Sequence, residues 1–142
     1  MTERERQALL ERMADLWLQL SKRLAAEMKA QAVQIPTSQV YLLWLLDRHG
    51  PLRMSELARH LGIALSGCTA IVDRAVREGW VVRERSPTDR RVVTIALTDQ
   101  GRETLAQLRQ ARRDAWTRYL NRLADDELRT LIRLLDTMLQ AE

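Results

Sequence analysis

Hydrophobic residues in this chain recur mainly at the spacing of an α-helix. Over residues 5–31 they fall three or four positions apart, at Leu9, Met13, Leu16, Leu20 and Leu24, with Trp17 beside them. This period predicts one long amphipathic helix near the amino terminus. Similar stripes predict a helix from Thr98 to about Arg122 and a last helix that begins at Asp125, where acidic residues suit the first turn.

Three shorter segments between those helices also have helical patterns. Residues 40–46, between Pro36 and Gly50, are apolar nearly all round, so we expect them at the centre of the core. Residues 55–61 predict a short helix that Gly62 can close in a left-handed cap. Residues 65–78 predict a further helix with one apolar face and one small, polar face. The polar face consists of Ser66, Thr69, Ala70, Asp73, Arg74 and Arg77.

After residue 79 the period changes to that of β-strands. Residues 80–85 and 91–97 flank a short polar turn that contains Pro87, and together they predict an antiparallel hairpin. Two short helices joined by a glycine turn and followed by a basic hairpin are typical of a winged helix-turn-helix. The predicted fold class is therefore mainly α, with a small β-hairpin wing.

The apolar stripes at both ends of the chain are longer than one small lobe can cover, which favours burial against a second copy. We therefore assign residues 1–34 to an N-terminal dimerisation helix and residues 35–98 to the winged helix-turn-helix lobe. Residues 99–142 are assigned to C-terminal dimerisation helices, and all three parts are expected to form one intertwined domain.

The basic residues are concentrated where the winged lobe is predicted. The 142 residues have a net charge of +4, and 21 of the 23 basic residues are arginines. Arginine suits phosphates and guanine edges, although a GC-rich genome produces the same bias. Between Arg53 and Arg91 there are eight arginines and five acids, a local balance of +3. This distribution, rather than the total, favours a nucleic-acid partner.

Other functional classes find little support in the sequence. The single cysteine, Cys68, excludes an internal disulfide, and no cysteine–histidine cluster has the spacing of a metal site, so we expect neither a metal nor a cofactor. No catalytic constellation or phosphate-binding glycine loop is present, which argues against an enzyme. No apolar run is long enough to cross a membrane and the amino terminus is highly charged, so we expect a cytoplasmic protein.

Several motifs in the predicted lobe and wing resemble those of the MarR family of bacterial transcription regulators. The first is Met54-Ser55-Glu56-Leu57-Ala58-Arg59-His60-Leu61-Gly62-Ile63. It is followed by Ile71-Val72-Asp73-Arg74 and Gly79-Trp80-Val81. The third is Asp89-Arg90-Arg91 with Ala96-Leu97-Thr98-Asp99-Gln100-Gly101. The resemblance covers nearly the whole chain, and it rests on the combination of motifs rather than on any one of them.

This resemblance implies a homodimeric repressor that binds a palindromic operator in double-stranded DNA and is released by a small aromatic effector. It also implies DNA contacts, which we assign to Ser66, Gly67, Thr69, Ala70, Arg74, Arg90 and Arg91. Asp89 is expected to orient the wing loop through a salt bridge. A possible effector cleft would include Trp17, Tyr41 and Trp44, although aromatic residues in helices are more often part of the core.

Some positions depart from the family pattern and keep other interpretations open. Ala70 stands where many members have a basic residue, so a winged-helix module for protein interaction, without specific operator binding, is the alternative function. Arg53 and Ala64 stand where helix N-caps are usual. Arg77 either contacts DNA or lies on a solvated face, and Arg85 is a further phosphate candidate. Cys68 is either structural or redox-sensitive, and the apolar side on which it falls favours a structural role.

Overall fold

The computed structural model of the protein describes residues 1–30 and 34–140 and is mainly helical. In chain order the elements are α1 (Glu3–Ala30), α2 (Thr37–His49), β1 (Leu52–Arg53), α3 (Met54–Leu61), α4 (Leu65–Arg77), β2 (Val81–Arg85), β3 (Val93–Leu97), α5 (Asp99–Leu120) and α6 (Asp125–Leu139). The structure thus confirms the predicted fold class of helices with a small β-hairpin wing.

The chain divides into two compact units, one of Val33–Gln110 and one of Met1–Ala32 with Ala111–Glu142. In the first unit, α2 supplies the centre of the core, because Leu42 and Leu43 are completely buried and Leu45 and Leu46 nearly so. They belong to one cluster with side chains from α3, α4, the sheet and the first part of α5. The prediction that residues 40–46 lie at the centre of the core is wrong at Tyr41, which is half exposed.

The sheet has three antiparallel strands in the order β1-β3-β2. Arg85 pairs with Val93 at the tip of the β2–β3 hairpin, and Val81 pairs with Leu97 at its base. β1 adds two residues on the other side of β3, with Leu52 opposite Ile95. The sequence did not predict β1, because two residues are too few for a periodic signal. The loop is also longer than predicted, since β3 begins at Val93 rather than at Arg91.

Glutamates and glycines fix the ends of several helices where the usual capping side chains are absent. The Glu56 carboxylate accepts a hydrogen bond of 3.2 Å from the Arg53 N–H at the start of α3, and Glu127 does the same for Ala124 at the start of α6. Gly62 ends α3 in the left-handed conformation, with φ 66° and ψ 33°. This geometry confirms the predicted glycine turn between α3 and α4.

The second unit has long helices whose apolar residues remain accessible. Neither α1 nor α6 contains a buried residue. On α1 the accessible residues include Leu9, Met13, Leu16 and Trp17, each between 45% and 59% exposed. On α6, Ile132 is 52% and Met138 67% exposed. So many exposed large apolar side chains are unusual for a monomer in water.

Most predicted helix bounds agree with the structure to within a few residues. The first helix begins at Glu3 instead of residue 5, and its predicted end at residue 31 lies outside the described residues. The helix predicted up to Arg122 ends at Leu120. Periodicity defines a helix well but its terminal residues poorly, because the end depends on local capping contacts.

Candidate nucleic-acid interface

The two faces of α4 differ as the sequence predicts. Cys68, Val72 and Ala75 are completely buried and fix the helix against the core. Ser66, Gly67, Ala70, Arg74 and Arg77 are exposed. A helix held by one face and presenting small side chains on the other can enter the major groove of DNA, because its backbone can approach the base edges closely.

Thr69 lies at the edge of this exposed face and is partly buried. Its hydroxyl donates a hydrogen bond of 2.9 Å to the carbonyl of Leu65, one turn earlier. This bond leaves the hydroxyl oxygen as an acceptor and the methyl group as an apolar contact. Thr69 in this rotamer is therefore suited to accept from an amino group of adenine or cytosine or to contact a thymine methyl.

Asp73 is the one acidic residue on the exposed face of α4, and it forms an ion pair with Arg83 of β2. The two side chains are 44% and 39% exposed, so the pair is partly solvated. The contact joins α4 directly to the wing. It also offsets the negative charge that an approaching phosphate would otherwise meet.

The wing loop is held by hydrogen bonds within the turn. The Ser86 hydroxyl accepts from the backbone N–H groups of Thr88 and Asp89, and the N–H of Val92 donates to the Asp89 carbonyl. The Asp89 carboxylate accepts from the Arg91 backbone N–H at 3.0 Å and from its side-chain Nε at 3.3 Å. Asp89 is thus placed to fix the conformation of the loop around Arg91.

Arginines at the wing tip extend into solvent despite these contacts. The Arg91 side chain is 92% exposed. Arg90 beside it and Arg85 at the end of β2 are also exposed. An arginine in this setting can reach a phosphate or the minor groove without first losing a buried partner.

The base of the wing is closely packed against the start of α5. The Thr98 backbone N–H donates a hydrogen bond of 3.0 Å to the Trp80 carbonyl, and the Thr98 hydroxyl donates one of 2.6 Å to the Gly79 carbonyl. The same hydroxyl accepts from the Gly101 N–H at 3.0 Å. A Cβ at position 101 would collide with the Trp80 carbonyl oxygen. Gly101 is therefore required by this close approach, which the sequence motif alone did not explain.

Cys68 has the environment of a structural residue. It is completely buried, its thiol lies 3.8 Å from the carbonyl oxygen of Met54, and burial raises the pKa of the thiol. A raised pKa lowers the fraction of reactive thiolate at neutral pH. These observations favour the structural interpretation over a redox role.

Tyr41 and Trp44, two of the three residues predicted for an effector cleft, are neighbours on α2. Their ring centroids are 5.4 Å apart, and the Arg48 guanidinium lies over the Trp44 ring. Trp17 belongs to the other unit and is half exposed there. Tyr41 also lines a mainly apolar pocket of about 270 Å³ together with Thr37, Ser38, Leu61, Ile63 and Ile71. The sequence did not predict this pocket, because its walls come from three separate segments.

The described residues contain no group of three or more histidine, cysteine, aspartate or glutamate side chains placed to hold a metal ion. In the same part of the chain, none of the helices is both long and apolar enough to span a bilayer.

Comparisons with known proteins agree with this geometry. A family model described as "MarR family" matches residues 33–92, which include α2, α3, α4 and most of the wing. The chain is 30% identical over 94 residues to the HTH-type transcriptional repressor MdtR of Bacillus subtilis, covering 66% of this chain and 61% of that protein. It is also 30% identical over 101 residues to a Bacillus subtilis relative named as the uncharacterized HTH-type transcriptional regulator YpoP, covering 71% and 72%.

A solved structure extends the similarity to almost the whole chain. The structure of a MarR family protein from Bacillus stearothermophilus superposes with a TM-score of 0.82 at 27% identity, covering 99% of this chain and 96% of that one. The similarity therefore includes the long terminal helices as well as the winged lobe.

Proposed function

We propose a specific role for this chain, which belongs to the MarR family of transcriptional regulators and is thus a DNA-binding regulator. In this proposal it is a homodimer that represses transcription from a palindromic operator. A small aromatic ligand releases it from the DNA. The observation that carries the DNA-binding part is the pairing of an exposed, small-residue face on α4 with exposed arginines at the wing tip. MdtR, with which the chain shares 30% identity, is itself named a repressor. A protein with this function acts where the chromosome is, in the cytoplasm.

Within this proposal each part of the interface has a distinct task. Ser66, Gly67, Thr69 and Ala70 approach base edges in the major groove, while Arg74 binds the adjacent phosphates. Arg90 and Arg91 reach the flanking minor groove or its phosphates. Asp89 positions Arg91, and the Asp73–Arg83 ion pair fixes the wing relative to α4.

The dimer part of the proposal rests on the accessible apolar stripes of α1 and α6. A second copy that covered these stripes would remove their large side chains from water. The association would gain a favourable free energy of roughly 25 cal/mol for each Å² of apolar surface buried. A symmetric dimer presents two winged lobes, and half-sites about one turn of DNA apart, roughly 34 Å, would follow from that symmetry.

The effector part rests on the pocket beside Tyr41. Its lining is mainly apolar and includes the hydroxyl-bearing residues Thr37 and Ser38. A planar aromatic ring would bury against Tyr41 and Ile71, while a phenol or carboxylate could hydrogen-bond to the hydroxyls. Binding there would lower DNA affinity only if the ligand favours the conformation that does not bind DNA.

The test begins with selection of bound sequences from a random duplex library by the untagged full chain. An enriched palindrome is expected. Fluorescence anisotropy with that duplex should then show a linear fall of log affinity with log salt, with a slope near −0.9 for each phosphate neutralised. Arg91→Ala should make this slope less steep by about 1 for each protomer, because the variant loses one phosphate contact.

Glu103→Ala on α5 is a matched control, since it alters an exposed charge outside the proposed interface. Recovery of no enriched sequence, with only weak and sequence-independent binding, would contradict the regulator and support the interaction module. Undiminished specific binding by the double variant Arg74→Ala, Arg91→Ala would refute the assignment of contact residues.

A further inference from the structure

The two histidines of the sequence are brought together although eleven positions separate them. The ring centroids of His49 and His60 are 4.7 Å apart, and the ring planes are inclined by 25°. His49 is the last residue of α2, and His60 lies in the last turn of α3. Both are exposed, and neither belongs to the proposed DNA contacts or to the lining of the pocket.

We propose that His49 and His60 together bind one divalent transition-metal ion of the class that prefers imidazole, such as Ni²⁺, Cu²⁺ or Zn²⁺. When two imidazoles bind one ion at about 2.0–2.1 Å and at roughly a right angle or slightly more, their centroids lie about 4.5–5 Å apart. The observed separation of 4.7 Å falls within this range. The two rings are stacked, so both side chains must rotate before one nitrogen of each ring points at the same ion, and their exposure to solvent leaves room for that rotation.

The position of the pair at two helix ends favours a cation. The carboxyl-terminal end of a helix has a partial negative charge, and here the ends of α2 and α3 both contribute. Arg48, next to His49, is held over the Trp44 ring at 5.3 Å. Arg59, next to His60, is exposed, so salt and water screen its repulsion of the ion.

The site would have two protein ligands, with water completing the coordination. A closed structural zinc site needs four protein ligands, so we expect reversible binding of moderate affinity. An ion bound to both rings cross-links the ends of α2 and α3. Because it binds the folded arrangement preferentially, it should raise the unfolding temperature, and above the dissociation constant the rise should grow with the logarithm of the ion concentration.

The test uses the untagged full chain and Ni²⁺ as the probe, measured by isothermal titration calorimetry and by thermal unfolding with and without NiCl₂. We expect one Ni²⁺ per chain and a rise in the unfolding temperature that increases with NiCl₂. His49→Gln and His60→Gln should each weaken binding by at least about tenfold, since the second imidazole of a chelating pair binds at high effective concentration. The double variant should show no Ni²⁺-dependent rise.

Arg59→Gln is the control, because it changes the same turn of α3 without removing an imidazole, and it should bind Ni²⁺ at least as tightly as the wild type. Wild-type affinity in either single histidine variant would overturn the proposal, because one ring would then suffice. A Ni²⁺ response that survives in the double variant, or is absent from the wild type, would overturn it as well. None of these outcomes bears on the DNA-binding proposal, which does not involve either histidine.

Discussion

Replacement of Gly101 by alanine tests the close packing between the wing and α5. Gly101 is the third residue of α5 and is buried. A Cβ there would collide with the Trp80 carbonyl oxygen and lie 2.9 Å from the carbonyl carbon and 3.2 Å from the Leu97 Cδ2. The Trp80 backbone cannot easily move away, because its N–H donates to Ala75 and its carbonyl accepts from Thr98, each at 3.0 Å.

Two effects of opposite sign determine the result. Alanine is favoured over glycine inside a helix by about 0.5–1 kcal/mol, so propensity alone predicts stabilisation. Overpacking of a well-packed site costs about 1–3 kcal/mol, and here it also displaces a carbonyl whose hydrogen bond contributes about 0.5–1.5 kcal/mol. The steric terms exceed the propensity term. We therefore expect Gly101→Ala to lower the free energy of unfolding by about 0.5–4 kcal/mol.

Gly67→Ala provides a matched control. Gly67 is also the third residue of its helix, α4, but the nearest atom to its added Cβ is Ile63 Cδ1, at an ordinary contact distance of 3.8 Å. Only the propensity term applies there, so this variant should gain about 0.5–1 kcal/mol. Urea unfolding followed by far-UV circular dichroism, at equal chain concentrations, compares both variants with the wild type. If Gly101→Ala is as stable as the wild type or more stable, the steric argument is wrong.

Three further predictions concern charge, assembly and the thiol. Asp73→Asn should lower the free energy of unfolding by less than about 1 kcal/mol, because the ion pair it removes is partly solvated. It should nevertheless raise the affinity for non-operator DNA, measured by anisotropy, because the α4 face becomes more positive. Unchanged non-operator affinity would contradict this prediction. Met13→Glu should place a charge in the proposed dimer interface and shift the mass found by sedimentation equilibrium from that of a dimer toward the 16.5 kDa of one chain. Arg12→Glu, at the neighbouring position, should leave the mass of the dimer unchanged. A wild-type protein that sediments as a monomer would refute the proposed interface. Cys68 should react with a thiol reagent at least about a hundredfold more slowly in the native protein than in urea. The reason is that burial raises the pKa of the thiol and blocks access of the reagent. Equal reaction rates in the two conditions would exclude the structural interpretation.

The sequence predicted the helices and the hairpin because their signals are local. The stripe on α1, the glycine turn at Gly62 and the alternating residues of the wing each follow from spacing within a few residues. The two faces of α4 were likewise predicted correctly, with Cys68, Val72 and Ala75 buried and Arg74 exposed. The resemblance to the MarR family also depended only on the identity and order of residues in short motifs.

Contacts between distant segments could be learned only from the tertiary structure. The pairing of Asp73 with Arg83, the stacking of His49 on His60 and the pocket beside Tyr41 each depend on how separate elements pack. Gly101 shows the distinction most clearly. The sequence identifies it as part of a motif at the start of a helix, where propensity would favour alanine, but the backbone of Trp80 occupies the space that a side chain would need. Periodicity and propensity describe neighbours along the chain, whereas the space around a residue depends on neighbours that the fold brings to it.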